Sequence, residues 1–274
     1  MKHEYQVAPG YLESAEKAGL LEVLSGEHYS CGFYEEPVSG EPQVLVEYAA
    51  PTLIENASLL AELEQRIAGE HPEARRVLMR VPAGRVPALE EWSPYLTYLR
   101  FDGAQASGET GNVRPATPSD DPGIGEWLVR AMHAACEQQG TSARPGTAEA
   151  MAQQVLDAPG RESFVYTHEG RAVAHITVML DAHDEVFGLD HVDMIDVFAD
   201  DAPDPREAQR RLVAAAIARA REVGLPLVGN VVRVSPVNAE RVRAERITGA
   251  LISQGWRPSH EFWSRSLDGR ERAR

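Results

Sequence analysis

"HVDMIDVFADDAPDPREAQRRLVAAAIARAREVG", residues 191–224, is the stretch that decides the fold of this 274-residue chain. Its first ten residues, 191–200, mix β-branched, aromatic and polar side chains and read as a strand. An acidic loop follows. Asp204, Pro205 and Glu207 then form a helix start, with Asp at the N-cap, Pro at the first helical position and Glu at the third. The helix stops at Gly224, where a residue without Cβ suits the left-handed turn after a last helical residue. "LPLVGNVVRVS" (225–235) is a further strand, so strand, helix and strand follow one another in an α/β arrangement.

The pattern extends in both directions. Upstream, "NVRPAT" (112–117) is a short strand. "DDPGIGEWLVRAMHAACEQQG" (120–140) is a helix with Ile124, Leu128, Met132 and Cys136 on one stripe. "RPGTAEAMAQQVLDAPG" (144–160) is a second helix with Gly160 as its stop. "SFVYTHEG" and "RAVAHITVMLDA" form a hairpin through Glu169 and Gly170. Downstream, "VNAERVRAERITGALISQGW" (237–256) is a helix and "EFWSRSL" (261–267) a last strand.

The earlier part of the chain has two helical patterns, 11–26 ending on Gly26 and 52–69 ending on Gly69. The second opens with Thr52 and Glu55 in capping-box spacing. Strands are expected at 27–37, 41–51, 74–83 and 95–103. "FDGAQASGETGNVRPAT" (101–117) is small, polar and glycine-rich and reads as a linker. The expected division is therefore 1–103, a linker at 104–112, and 113–274.

Composition narrows the classes. A hydrophobic fraction of 43% and a charged fraction of 25% are ordinary for a globular protein. The formal charge of −15 disfavours broad adhesion to nucleic acid while leaving room for a local basic patch. Apart from Lys2 and Lys17, and leaving histidine aside, every basic residue is Arg. No apolar run is long enough to span a bilayer and the first residues have no apolar signal core, so no membrane contact and a cytoplasmic location are expected. Cys31 and Cys136 lack metal-ligand or CxxC spacing and read as core or bystander thiols. No metal or redox cofactor is indicated.

Three phrases carry a family resemblance. "NVRPATPSDDPGIGEWL", the quoted stretch 191–224, and "VNAERVRAERITGALISQGW" resemble the opening strand and helix, the central strand with donor loop, and the last helix of the GCN5-related N-acetyltransferase (GNAT) superfamily. The resemblance covers about residues 112–267. The first part of the chain resembles a reduced copy of the family's second half, as in tandem GNAT proteins. The resemblance implies a mixed central sheet flanked by helices in two tandem domains, the first reduced. It implies an N-acyltransferase that moves an acyl group from an activated donor, acetyl-CoA or another acyl-CoA, to the amine of a small molecule. Phe198, Arg206, Arg210, Arg211 and Asn238 fall at positions implied to meet the donor.

Two departures stand out. In the family a glycine-rich loop lets helix amides approach the donor pyrophosphate. Here Glu207 and Gln209 stand where glycines are expected, and Asp204 as N-cap would take N–H groups that should meet phosphate. Arg206, Arg210 and Arg211 either offset the crowded carboxylates, bind phosphate through their side chains, or simply decorate a self-capped helix. The second departure is Leu251, where the family often has a tyrosine that protonates the leaving thiolate.

Candidate bases lie on the central strand. His191 and Asp193 are expected on one side and Asp196 on the other, because a strand alternates faces. Each is a proton acceptor if its pKa is tuned, and each also suits a structural hydrogen-bond network. His175 and His133 read as packed core histidines. Arg241, Arg243 and Arg246 mix with Glu240 and Glu245 on the last helix, the pattern of a solvated face. Joined to Arg206, Arg210 and Arg211, they would instead make a surface for an aminoacyl-tRNA donor, whose ester needs neither a coenzyme A cradle nor a thiolate acid. A non-catalytic binding module is the third reading.

Overall fold

The computed structural model describes residues 7–103, 110–233 and 238–267, the first three of α7 as backbone only. The first segment runs α1 (Tyr11–Lys17), β1 (Leu21–Leu24), β2 (Glu27–Glu35), β3 (Pro42–Ala49), α2 (Pro51–Glu55), α3 (Ala57–Glu70), β4 (Arg76–Pro82) and β5 (Ser93–Phe101). The second runs β6 (Val113–Pro115), α4 (Asp121–Gln138), α5 (Thr147–Asp157), β7 (Arg161–His168), β8 (Arg171–Asp184), β9 (Leu189–Phe198), α6 (Pro205–Val223), β10 (Leu227–Val232), α7 (Asn238–Ser253) and β11 (Arg257–Ser266). This is the expected α/β class.

All the described strands join one mixed sheet in the order β1-β2-β3-β4-β11-β5-β10-β9-β8-β7-β6. Only β3–β4 and β9–β10 are parallel, each pair joined by a helical crossover as parallel strands require. One connection pattern occurs twice. An antiparallel pair (β2–β3, β8–β9) leads through a helix (α3, α6) to a parallel strand (β4, β10). The last strand of each segment is then displaced by one place. β5 lies between β11 and β10, and β11 between β4 and β5. The sheet therefore does not part at the linker, because the two segments exchange their final strands.

The exchange also shares the cores. Leu99 and Phe101 of β5 pack with α6 and strands β8 to β10, whereas Trp263 of β11 packs with α3, Met79 and Val46. Helices α3, α6 and α7 cover one face of the sheet. α4 and α5 pack on the opposite face through Ile124, Leu128 and Ala152.

Several boundaries differ from expectation. The first helix ends at Lys17, and Leu21–Leu24 form β1, which turns into β2 through Ser25 and Gly26, both at positive φ. The Thr52–Glu55 capping box does not form. α2 stops at Glu55, and Asn56 caps α3 by accepting from the Ser58 and Leu59 amides at 3.0 and 3.2 Å. α3 continues past Gly69 to Glu70. α5 ends at Asp157 rather than Gly160, since Ala158 before Pro159 is extended (ψ 131°). The Glu169–Gly170 turn forms as expected, with φ of 50° and 77°.

Candidate active site

The functional geometry begins where β9 and β10 separate. Their parallel pairing covers only Leu227–Val192 and Val228–Asp193. Beyond Asp193 the strands diverge, so the edge of β9 from residue 194 onward has no ladder partner on that side. On its other edge β9 carries a bulge: Thr177 faces Asp196 and Val178 faces Met194, which leaves Ile195 as the extra residue. One inserted residue inverts the alternation that follows it. Asp196 therefore lies on the same face as Asp193, not on the opposite one. Its Oδ2 is 3.3 Å from Nε2 of His175, whose ring stacks on Trp127 of α4 at 5.3 Å.

Two cavities flank the fork. One, of about 270 Å³, holds His191, Asp193, Tyr98, Arg80, Asp184 and His260 among its lining. The other, of about 430 Å³, lies between α4 and residues 194–200 and includes Asp196, Asn230 and Val232. Thus His191 and Asp193 come together, while Asp196 faces the second cavity.

In the first cavity, burial raises the Asp193 carboxyl above its ordinary range, with His191 opposing weakly. Tyr98 arrives on the exchanged strand β5 and stacks on His260 at 4.5 Å. Burial first, then the Asp193 charge, pushes its hydroxyl up to about 12, so it stays a protonated donor. Neither the Asp193 carboxylate nor the Tyr98 hydroxyl makes a hydrogen bond among the described residues. Arg80 pairs with Asp184 and lies over the Phe187 ring at 4.3 Å.

His260 is buried, with Nδ1 3.0 Å from Ser259 Oγ and 3.4 Å from Arg80 Nη2. Burial, then the Arg80 charge, lowers its pKa to about 3, so the folded imidazole is neutral. The unfolded imidazole takes a proton below about pH 6.5. The contribution to stability is therefore full above that value and is lost as pH falls toward about 3. His260→Leu is expected to flatten the decline of the urea midpoint between pH 7 and pH 5, whatever its effect at pH 7. An unchanged slope would remove His260 from the acid response.

At the N-terminus of α6, Asp204 Oδ1 accepts the Glu207 amide at 3.1 Å and closes the helix end. The Glu207 carboxylate takes two bonds from Arg210 and one from Arg211, and these arginines pull it down to about 2. Arg211 also donates to the Gly111 carbonyl at 2.6 Å. Asp204→Ala is expected to cost about 1 kcal/mol of stability, the usual worth of an N-cap side chain, read by urea denaturation.

No family model and no curated protein sequence matches the chain. A crystal structure of a GCN5-related N-acetyltransferase from Sphaerobacter thermophilus superposes with a TM-score of 0.51 at 14% identity, over 87% of this chain and 76% of that one. The chain has the GNAT fold. Two further structures are similar at lower scores: a GNAT-family acetyltransferase from Colwellia psychrerythraea (TM-score 0.49, 9% identity, 93% and 88% covered) and a GCN5-related N-acetyltransferase from Kribbella flavida (0.45, 10%, 94% and 95%).

Within this GNAT fold the remaining candidates take these places. Phe198 stacks beside Trp127 at 6.3 Å, and Arg130 sits over its ring at 4.4 Å. Trp127 Nε1 and Arg130 both bind Asp201. Arg206, Arg241, Arg243 and Arg246 are exposed. The side chain of Asn238 lies outside the described residues. Leu251 packs into the α6–α7 core. His175 is buried, as expected, and its Nδ1 lies 3.2 Å from Thr177 Oγ1. His133 is exposed, a correction to the expected packed histidine. Among the described residues no group of three His, Cys, Asp or Glu is placed to hold a metal ion, and no helix is long and apolar enough to cross a membrane. Tyr98, Arg80 and His260 had no local signal, because they come from strands β5, β4 and β11, all remote from β9 in sequence.

Proposed function

We propose that the chain is an N-acyltransferase of the GNAT type, in which a small-molecule amine in the Asp193 cavity takes an acyl group from an activated donor lying in the β9–β10 fork. The observation that carries the reading is the pairing of an unbonded, half-buried carboxylate, Asp193, with an unbonded hydroxyl, Tyr98, in a cavity that opens at the fork. Asp193 takes a proton from the incoming ammonium, directly or through one water. The neutral amine attacks the acyl carbon, the bond from that carbon to the donor's sulfur or oxygen breaks, and the proton shed by the nitrogen passes through water to the leaving group. Backbone N–H groups on the unpartnered edge of β9 that faces the fork stabilise the tetrahedral oxyanion, and the Tyr98 hydroxyl donates a hydrogen bond to the leaving group. The two segments act as a tandem, since β4, β5 and β11 supply one wall of the cavity and β9 the other.

The donor is either an acyl-CoA or an aminoacyl-tRNA. Coenzyme A is the donor the fold implies, but the N-terminus of α6 does not fit a pyrophosphate held on helix amides. Asp204 occupies the capping position, and Glu207 engages Arg210 and Arg211. That closed cap favours the second reading, an ester donor whose phosphates meet exposed arginines of α6 and α7. Titration calorimetry of the protein with acetyl-CoA and CoA separates the two. Micromolar binding, near −8 kcal/mol, supports acyl-CoA. No heat at high ligand concentration retires it, and product formation from charged tRNA and an amine then tests the ester. No product from either donor would leave a non-catalytic binding module.

A further inference from the structure

A third cavity, of about 430 Å³, lies beneath α1 against β2 and β3. Its wall is mainly apolar, with Ala15, Ala18, Leu20 and Leu45 among its lining, and among the described residues its carboxylates are Glu47 and Glu185. The same two residues also line the Asp193 cavity, so the two spaces meet at a common acidic junction. Glu47 is the extra residue of a second bulge, between Cys31–Val46 and Ser30–Tyr48, which turns its side chain out of the ladder. Tyr11 of α1 stands at the junction, its hydroxyl 3.1 Å from Ser30 Oγ and within electrostatic range of Glu47, Arg80 and Asp184.

The charges at the junction select the ligand. Arg80 is neutralised by Asp184, His260 is neutral, and His183 Nε2 lies 3.8 Å from Glu185, so Asp193 and Glu47 leave the joined space negative and complementary to an ammonium. Farther out, a second ammonium would enter an apolar pocket with no counter-charge, which is costly. Hydrocarbon, in contrast, gains by leaving water there.

We propose that the cavity beneath α1 is the tail pocket of the acceptor, and that the acceptor is a primary amine with an alkyl or aryl tail: its ammonium lies at the Asp193–Glu47 junction and its tail against Leu45 and Leu20. This rests on the acyl-transfer reading for what happens to the amine, but not for its binding.

Gly32 provides the test. It lies opposite Leu45 on the neighbouring strand, so its side-chain direction faces the same pocket. A Cβ there meets nothing within 4 Å, and its φ is not in the left-handed region. Gly32→Ile therefore narrows the pocket with a residue that suits a strand. Calorimetry on the intact chain, with no donor present, would measure ethylamine, butylamine, hexylamine, octylamine and spermidine. Affinity is expected to rise about fourfold per added methylene, the equivalent of burying one CH₂. Gly32→Ile is expected to weaken octylamine at least about tenfold and ethylamine less than about twofold, and Glu47→Gln to weaken all the monoamines. Affinity independent of chain length, spermidine binding tighter than octylamine, or Gly32→Ile leaving octylamine unchanged would each overturn the proposal. Chain-length-dependent binding without acylated product from any donor would keep the tail pocket and sink the transferase reading. Transfer to amines with no preference for length would do the reverse.

Discussion

Asp193→Asn is expected to lower kcat/KM for acyl transfer by about 10²- to 10⁴-fold, the usual contribution of a positioned general base. The substitution keeps shape and removes only the proton acceptor. It is also expected not to destabilise the protein at pH 7. The sign follows from the direction of the shift. Burial raises the Asp193 carboxyl above 3.8, so the fold disfavours its charged form. Above that raised value the carboxylate subtracts from stability, and below the unfolded value, near 3.9, the penalty disappears. An uncharged Asn carries no such penalty, so its urea midpoint at pH 7 should equal or exceed that of the parent. The acid limb of the pH–rate profile should vanish with the carboxylate. Turnover within about threefold of the parent, or a loss matched by unfolding, would remove Asp193 from the mechanism.

Elements governed by local interactions are legible in the sequence. Asp204, Pro205 and Glu207 start α6 as read, Gly224 ends it at φ 77°, and the Asp204 cap is the bond expected from its position. Elements where two patterns overlap are not legible. Leu20, Leu21, Val23 and Leu24 suit a helix face as well as a strand, and the glycines on either side decide for β1. The order of strands in the sheet was not legible either. Alternation in β5 and β11 marks them as strands but says nothing of which neighbour each one takes, so the exchange came only from the fold.

The site divides along the same line. His191 and Asp193 were legible because polar side chains on a central strand need a reason to be there. Asp196 lies on the face opposite to the one alternation predicts, because alternation holds only while the register is unbroken and no residue type announces the bulge at Ile195. The arginines after Asp204 suit phosphate ligands, partners of the local carboxylates or a solvated face equally well in the sequence; in the structure Arg210 and Arg211 bond Glu207. Tyr98 belongs to neither pattern. It occupies the cavity only because β5 crosses into the sheet of the other segment, next to β10.

The largest stability effect is expected at Arg80. Its side chain is 8% exposed and that of its partner Asp184 14%, so the pair is held in a low-dielectric setting. Burial by itself would raise the Asp184 carboxyl. The Arg80 hydrogen bond and charge, with the Phe187 amide and His260, outweigh it and hold the group below its ordinary value. A depressed carboxyl stabilises the fold above its unfolded pKa, and that contribution is lost as pH falls through the folded value. Arg80→Ala should therefore cost about 3–5 kcal/mol at pH 7, because it strands a buried carboxylate, and much less below about pH 4, where that carboxylate takes a proton. Replacing both partners, as Arg80→Met with Asp184→Leu, should recover more than half of the loss, since neither charge is then left unpaired. The consequence reaches the site. Asp184 ends β8 and accepts the Phe187 amide at 3.1 Å, so Arg80, on β4 of the first segment, holds the β8–β9 turn over the Asp193 cavity. In Arg80→Ala the Phe187 amide should exchange with solvent faster than those of β9, which the sheet still protects. Equal protection, or a cost under about 1 kcal/mol as for an exposed pair, would mean that the turn stands without the ion pair and that the two segments are joined by the exchanged strands alone.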